Sequence, residues 1–457
     1  MVVRARRGRR SYSRRPDPGP NHCPLPLTIM KVLIVGGGGR EHALAWKAAQ
    51  SPNVDIVYVA PGNAGTAREA KVSNLAIAAE DIHGLVRFAG QNGVGLTIIG
   101  PEGPLAAGIV DAFDAAGLPC FGPARNAAIL EGSKSFAKDF LRRHRIPTAH
   151  YGVFADLNEA RSYIKRQGVP IVIKADGLAA GKGVVVAGTI DQAIETVTAM
   201  LEGNRFGNAG HRVVIEEYLT GEEASFIVMV DGEHVLPMAT SQDHKARDRG
   251  DRGPNTGGMG AYSPATVITP AMFEQVMADI IRPTVAGMKQ EGRTYKGFLY
   301  AGLMIADDGT IRVLEYNCRF GDPETQPIMM RLNSDLVELC TSALAGKLDK
   351  TTARWDDRVA LGIVAAAAGY PEIPRKGDVI TGLESDFGTG VKIFHAGTSE
   401  RDGAVITAGG RVLCVTALGR TVNQAQRSAL TAIGKLGWDG MFFRDDIGYR
   451  AIARESP

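Results

Sequence analysis

Ile311-Arg-Val-Leu-Glu-Tyr-Asn-Cys-Arg-Phe320 is the stretch on which the reading of this chain turns. From Leu314 onward it alternates as a half-buried strand does, with successive side chains on opposite faces. Leu314, Tyr316, Cys318 and Phe320 suit a core. Glu315, Asn317 and Arg319 share the other face, in a row roughly 13 Å long at about 3.3 Å per residue. Covering such a row is costly unless a polar partner lies on it. Two oxygen donors followed by a guanidinium match a magnesium–triphosphate: hard ligands for the ion, then a planar fork for phosphate oxygens. The competing reading is a solvated strand face carrying a surface ion pair. Gly321-Asp-Pro-Glu-Thr325 follows and ends the strand with turn chemistry.

The length of 457 residues suggests roughly three domains, and 44% hydrophobic content with 56 glycines fits a loop-rich α/β protein. Residues 1–29 hold seven arginines and one acid, Asp17, so without them the formal charge of +3 becomes −3. The mildly acidic body excludes nucleic-acid binding through overall charge. The leader has no core-forming pattern and reads as a disordered Arg/Pro-rich extension, with Met30 as the natural start. It lacks the apolar segment of a secretory signal. A transit peptide is the alternative, although its prolines would interrupt an amphipathic helix. No run approaches the ~20 apolar residues of a membrane span. The five scattered cysteines argue for a reducing compartment and against disulfides or structural zinc.

Upstream, Lys31-Val-Leu-Ile-Val35, Gly36 to Gly39 and Arg40-Glu-His-Ala-Leu-Ala-Trp46 read as strand, glycine loop and helix. Asp55–Val59 and Leu96–Ile99 are further strands, running into the loops Pro61–Gly65 and Gly100–Pro104. Strands alternating with helices predict a doubly wound parallel sheet, with all three loops at its carboxyl edge. A dinucleotide fingerprint fails because Glu41 stands at the third glycine position. The loop instead suits a single phosphate at a helix N-terminus. Further on, Ile171–Lys174, the loop Ala175–Gly183 and Val184–Val186 predict a mobile hairpin lid over phosphates, with Lys174 reaching in. The Gly177–Gly181 spacing and the following strand exclude a P-loop. Ser241 to Ser263 has little apolar content and reads as a long functional loop, with Asn255–Gly260 able to form an anion-binding nest. After Thr352, two strands (Val359–Ala368, Gly409–Thr416) and a helix over Val422–Leu436 suggest a small α+β domain without chemistry of its own.

These pieces together resemble the glycinamide ribonucleotide synthetases (phosphoribosylamine–glycine ligases), a family of the ATP-grasp superfamily. The likeness rests on Gly36-Gly-Gly-Gly-Arg-Glu-His-Ala43, Pro61-Gly-Asn63, Gly100-Pro-Glu-Gly-Pro-Leu-Ala-Ala-Gly108 and Lys174–Gly183. It rests also on Gln242-Asp-His-Lys245, Gly253-Pro-Asn-Thr-Gly-Gly-Met-Gly-Ala-Tyr-Ser-Pro264 and Glu315–Thr325, and covers residues 30 to about 452. It implies an α/β protein whose N-terminal Rossmann-like substrate domain spans 30–131. A central ATP-grasp domain at 132–350 would carry its lid at about 150–220, and a small C-terminal α+β domain would fill 351–457.

The implied reaction joins glycine to 5-phosphoribosylamine at the expense of ATP, through glycyl phosphate, in de novo purine biosynthesis. Carried over by position, Glu315 and Asn317 bind Mg²⁺, for which Mn²⁺ could substitute. Lys134 and Lys174 hold the ATP phosphates under the lid glycines Gly177, Gly181 and Gly183. Glu216, Glu217 and Leu219 form the hinge that meets adenine, and Glu223, with Glu222 as second choice, takes the ribose. Arg319 stands near the γ-phosphate as a catalytic group with Asp243, the proposed proton acceptor, and Lys245. His42 and His244 are the alternative acceptors, although a lone loop histidine is more often a hydrogen-bonding fixture. Gly36, Gly38, Arg40, Glu41, Asn63, Glu102 and Gly258 would surround the substrates. Two positions depart from the family pattern, Ala246 for arginine and Arg249 for aspartate. The strand Tyr300–Ile305 offers no second acidic magnesium ligand. A cytoplasmic monomer acting on small molecules, with no nucleic-acid or membrane partner, is expected. The rivals are another ATP-grasp ligase with a different acceptor and a non-catalytic nucleotide-binding protein.

Overall fold

The computed structural model describes residues 1–2, 29–178, 183–202 and 211–455. Nearly all of the Arg/Pro-rich leader, with Cys23, and Gly181 of the glycine loop lie outside the described residues. Met30–Gly36, Val54–Pro61, Val72–Asn74, Val94–Ile99 and Cys120–Phe121 form one parallel sheet, in the spatial order third, second, first, fourth, fifth. Leu33 and Val35 pack into one apolar cluster and Val32 and Ile34 into another. Burial on both faces is why this strand reads as an unbroken apolar run. The strand order reverses at Met30–Gly36, so the loops beyond Gly36, Pro61 and Ile99 converge at one edge. The helices between are specified locally. Asp81 caps Ile82–Asn92 by accepting from the Gly84 amide, and Gly93 ends it in the left-handed region at φ +64°.

Two antiparallel sheets make the central region. Tyr151–Phe154, Val213–Glu217, Ile171–Ala175 and Val184–Ala187 form the smaller one. With helices Leu157–Gln167 and Ile190–Leu201 it encloses its own core around Ile164, Ile173, Val197 and Ile215. The glycine loop after Lys174 joins neighbouring antiparallel strands, as the hairpin reading requires. The larger sheet runs Val235–Pro237, Glu222–Asp231, Lys296–Ile305, Ile311–Asn317.

The strand Ile311–Asn317 departs from simple alternation. Gly302 faces Glu315 but Leu303 faces Val313, so Leu314 is the extra residue of a bulge. Ile311, Val313 and Tyr316 are buried, whereas Leu314 turns into a cleft instead of the core, correcting the expectation for that side chain. The ladder ends at Asn317. Cys318 and Phe320 are buried beyond it.

The third region holds the largest surprise. Its sheet is ordered Gln242–Asp243, Gly260–Ser263, Val359–Ala366, Arg411–Gly419, Val391–His395. Two of these strands come from the stretch expected to be a structureless loop. Ala246–Asp248 and Arg252–Asn255 pair in a further small ladder within it. Strands of two to four residues have too few apolar positions to show a period, which is why the sequence hides them. Helix Val422–Ile433 covers this sheet and ends three residues short of the expected Leu436. Cys120, Cys318, Cys340 and Cys414 are all free and buried. Among the described residues no helix is long and apolar enough to cross a membrane.

Candidate active site

A cleft of about 480 Å³ lies where the central sheets meet the converged loops, within the size range of small-molecule sites. One end is apolar, lined by Val172, Val186, Leu219, Met304 and Leu314; the other gathers Lys134, Lys174, Lys245 and Arg319 around Glu315 and Asn317. Glu315 stands opposite Gly302 on the neighbouring strand. Burial alone would raise the pKa of Glu315, but Lys245, Lys174 and Lys134 pull it down to about 2. The three lysines thus favour its anionic form, the one in which a carboxylate can take a metal ion. Lys245 Nζ sits 2.8 Å from Glu223 Oε2 and 3.7 Å from Glu315 Oε1. Although burial opposes its charge, these two carboxylates keep the ammonium protonated well past its ordinary range.

The lysines are aimed by buried partners. Glu216 takes Lys174 Nζ at 3.0 Å and Lys138 Nζ at 2.8 Å, and Lys174 also donates to Leu314 O at 3.2 Å. Burial lowers the Lys138 pKa to about 8 against the pull of Glu216. Glu216 thus holds Lys138 and Lys174 together at the cleft wall. Lys134 opens helix Lys134–Arg143 and donates to Gly177 O at 3.0 Å. Asp176 ties that helix end to the start of the glycine loop, accepting from the Ser135 amide at 2.7 Å and from both Ser133 and Ser135 hydroxyls. Glu217 lines the cleft, and its carboxylate accepts from the His150 amide and from Arg312. Glu223 lines the cleft, whereas Glu222 turns away to Gln242 and Arg454.

At the loop end, Arg40, Glu102, Asp243 and Arg319 line the cleft. Arg319 is gripped by Glu102 at 3.2 Å and Glu131 at 2.7 Å. Burial would raise Glu102, but Arg319 and Arg40 hold it at about 2. Burial raises Glu131 to about 7 despite Arg319. Asp243 is pushed well above the ordinary carboxylate range by burial and by the nearby charge of Glu324. Its Oδ1 is buried with no hydrogen-bond partner.

Other expected substrate residues are brought together behind this surface and are engaged with each other. Glu41 accepts from the Gly38 amide at 2.6 Å and from Arg40 Nε, and fills the space beside Gly36 and Gly100. Asn63 donates to Gly37 O and His395 O and accepts from the amides of Gly65 and Thr66. His42 lies between Glu69 and the His395 amide, and His244 accepts from the Gly448 amide, so both are fixtures outside the cleft. Burial lowers the His244 pKa to about 4. The anion nest is corrected as well. The amides of Thr256, Gly257, Gly258 and Met259 are already bound, by Lys245 O, Tyr370 Oη, Thr256 Oγ1 and His244 O.

Five charged cleft residues escaped the sequence reading: Glu131, Lys138, Asp322, Glu324 and Arg411. Asp322 and Glu324 stood inside a motif read for its turn chemistry and for the family resemblance, with no role given to either side chain. Glu131 and Arg411 carry no local signal. Among the described residues no cluster of three His, Cys, Asp or Glu could hold a metal by itself. Glu315 and Asn317 as two hard oxygen donors fit an ion that keeps waters and shares phosphate oxygens, as magnesium does.

Sequence models described as phosphoribosylglycinamide synthetase N domain, ATP-grasp (A) domain and C domain match residues 30–131, 132–325 and 360–450 in turn. A protein of Vibrio vulnificus (strain YJ016) named phosphoribosylamine–glycine ligase is 64% identical over 426 residues, 93% of this chain and 99% of the relative. The crystal structure of the phosphoribosylamine–glycine ligase from Thermotoga maritima matches with a TM-score of 0.79 at 35% identity, over 91% of this chain and 100% of that one. A biotin carboxylase–β,γ-ATP complex from Campylobacter jejuni matches at 0.71 over 94% of this chain and 96% of that one; at 16% identity it speaks for the fold alone.

Proposed function

Because this chain belongs to the phosphoribosylglycinamide synthetase family, we propose that its cleft joins glycine to 5-phosphoribosylamine while ATP is cleaved to ADP and phosphate. It is an ATP-grasp ligase, and its step is one of de novo purine biosynthesis. The observation that carries the reading of the cleft is its polarity: an apolar end for a base, then three lysines and Arg319 around Glu315 and Asn317 for a triphosphate.

A carboxylate and an amine do not condense in water, so glycine is activated first. One oxygen of its carboxylate forms a bond to the γ-phosphorus as the bond to ADP breaks, giving glycyl phosphate. Charge spreads over the equatorial phosphoryl oxygens, where Lys134, Lys174, Lys245 and Arg319 stabilise it. When bound, magnesium would add further neutralisation at the phosphates, with Glu315 and Asn317 as its protein donors, and Mn²⁺ could stand in its place. The phosphoribosylamine nitrogen then bonds to the acyl carbon, the carbon–oxygen bond to phosphate breaks, and the proton shed by nitrogen passes to Asp243. Raised proton affinity suits that carboxylate to the task. The hairpin at Asp176–Gly183 excludes water, to which an acyl phosphate would be lost. Glu223 takes the ribose, and the backbone near Glu217 and Leu219 takes adenine. The loops of Gly36, Gly38 and Gly258, shaped by Glu41 and Asn63, hold the acceptor side with Arg40 and Glu102. We place the enzyme in the cytoplasm as a monomer, acting on small molecules without a nucleic-acid or membrane partner.

The test measures ADP release by purified protein with glycine and freshly made phosphoribosylamine, omitting each in turn. Glycine carrying heavy oxygen in its carboxylate should place label in inorganic phosphate, with ADP as co-product. Label in AMP, or unlabelled phosphate at full turnover, would overturn the acyl phosphate route.

A further inference from the structure

The C-terminal region supplies no reacting group, yet it grips the acceptor side of the cleft. Gly257 is held there at both backbone polar atoms. Its amide donates to Tyr370 Oη at 2.9 Å, and its carbonyl accepts from Arg411 Nη1. The same guanidinium donates to Asp322 O and pairs with Asp322 Oδ2 at 3.3 Å. One planar fork from the strand Arg411–Gly419 therefore bridges two cleft loops distant in sequence, a task for which a lysine's point charge is poorly shaped. The next residue, Gly258, has φ +110°, and a Cβ there would come within 2.5 Å of Asp243 Oδ1 and collide with Pro323. The gripped glycines are thus pressed directly against the carboxylate. Asp243 itself sits on a two-residue strand that joins the C-terminal sheet through Gly260–Ser263. Its buried Oδ1 lacks a partner within the protein, and such an atom in a cleft calls for a ligand donor.

We infer that Arg411 and Tyr370 are positioning residues for the amine-accepting half of the reaction. They hold Gly257–Gly258 and Asp322 in place so that Asp243 keeps an oxygen free for the incoming nitrogen. The inference rests on the ligase reaction proposed above. It assigns the C-terminal region a part in the second step, attack on the acyl carbon, and none in ATP binding. If the grip loosens, glycyl phosphate still forms but meets water more often than amine.

The experiment uses full-length Tyr370→Phe, Arg411→Lys and Arg411→Met, reading ATP affinity, melting temperature and glycinamide ribonucleotide formed per ADP released. In Arg411→Met the product yield per ADP should fall from near one to below about one half, with ATP affinity within about twofold of wild type. Arg411→Lys should recover part of the yield. Tyr370→Phe removes a single hydroxyl and keeps the test open if the arginine variants fold poorly; it should show a smaller fall at unchanged melting temperature. A yield that stays near one in every folded variant would overturn the inference. So would a loss of ATP affinity equal to the loss of turnover. Absence of glycine- and amine-dependent ADP release in the wild type would instead overturn the reaction on which the inference stands.

Discussion

The half of the cleft proposed above for the nucleotide and the half proposed for the acceptor satisfy their polar residues in different ways. On the nucleotide side, Lys134, Lys174, Glu223, Glu315 and Asn317 project from strands or a helix start whose backbones are already satisfied by their own ladders. Their charged side chains pair with one another and with nearby carbonyls along the cleft wall. On the acceptor side the backbone runs in loops, and its amides and carbonyls need partners. Glu41, Asn63, His42 and His244 provide them, and each sits in a motif that sequence reading credits with substrate contact. Exposure to the cleft, not the kind of element, makes the difference: Glu41 and His42 lie in helix Gly39–Ala49, yet both are spent on backbone amides away from the cleft lining.

The sharpest way to break this contrast is Glu315→Gln. Removing one anionic oxygen at nearly constant shape should cut turnover about 10²- to 10³-fold while the fold and ATP binding persist. Near-wild-type turnover at saturating Mg²⁺ would remove the strand's polar face from the reaction. Glu216→Gln strands two buried lysines and should cost about 3 kcal/mol in denaturant unfolding. An unmoved midpoint would mean that Lys138 and Lys174 do not depend on it.

Glu131 offers a pH test on the boundary between the halves. Its folded pKa of about 7 lies above the ordinary 4.5, so the folded state binds the proton more tightly. That stabilisation is complete below about pH 4.5 and disappears as pH rises through 7. Wild type should therefore lose about 2 kcal/mol more than Glu131→Gln over this range. Parallel stability curves would show that Glu131 is an ordinary carboxylate. On the acceptor side, Asn63→Ala should lower stability by about 1.5 kcal/mol through the loop bonds it leaves unmade. A raised KM for phosphoribosylamine at constant melting temperature would instead return Asn63 to direct substrate contact. Smallest of all, Arg249→Ala breaks only an exposed pair with Asp445 and should change stability by less than about 0.5 kcal/mol. A larger effect would give the departure at this position a structural role.

Local pattern alone carried the parallel sheet, the hairpin after Lys174, and the facing of Glu315 and Asn317, because each depends on residues a few positions apart. Apolar runs, glycine spacing and alternation are short-range signals, and they survive in a single sequence. Family resemblance then extended them to ATP, glycine and an amine. Only the folded chain decided the rest. The Leu314 bulge depends on the register against Leu303. The strands within 242–263 are held by Val359–Ala366, about a hundred residues away. Arg411 enters the cleft because its strand crosses the same sheet, and Glu131 meets Arg319 from 188 positions away in the sequence. Such pairings are set by long-range backbone register and by where buried charge can find its opposite. Neither leaves a mark in the spacing of neighbouring residues, so only tertiary structure could decide which polar groups stand free in the cleft and which are spent in holding it open.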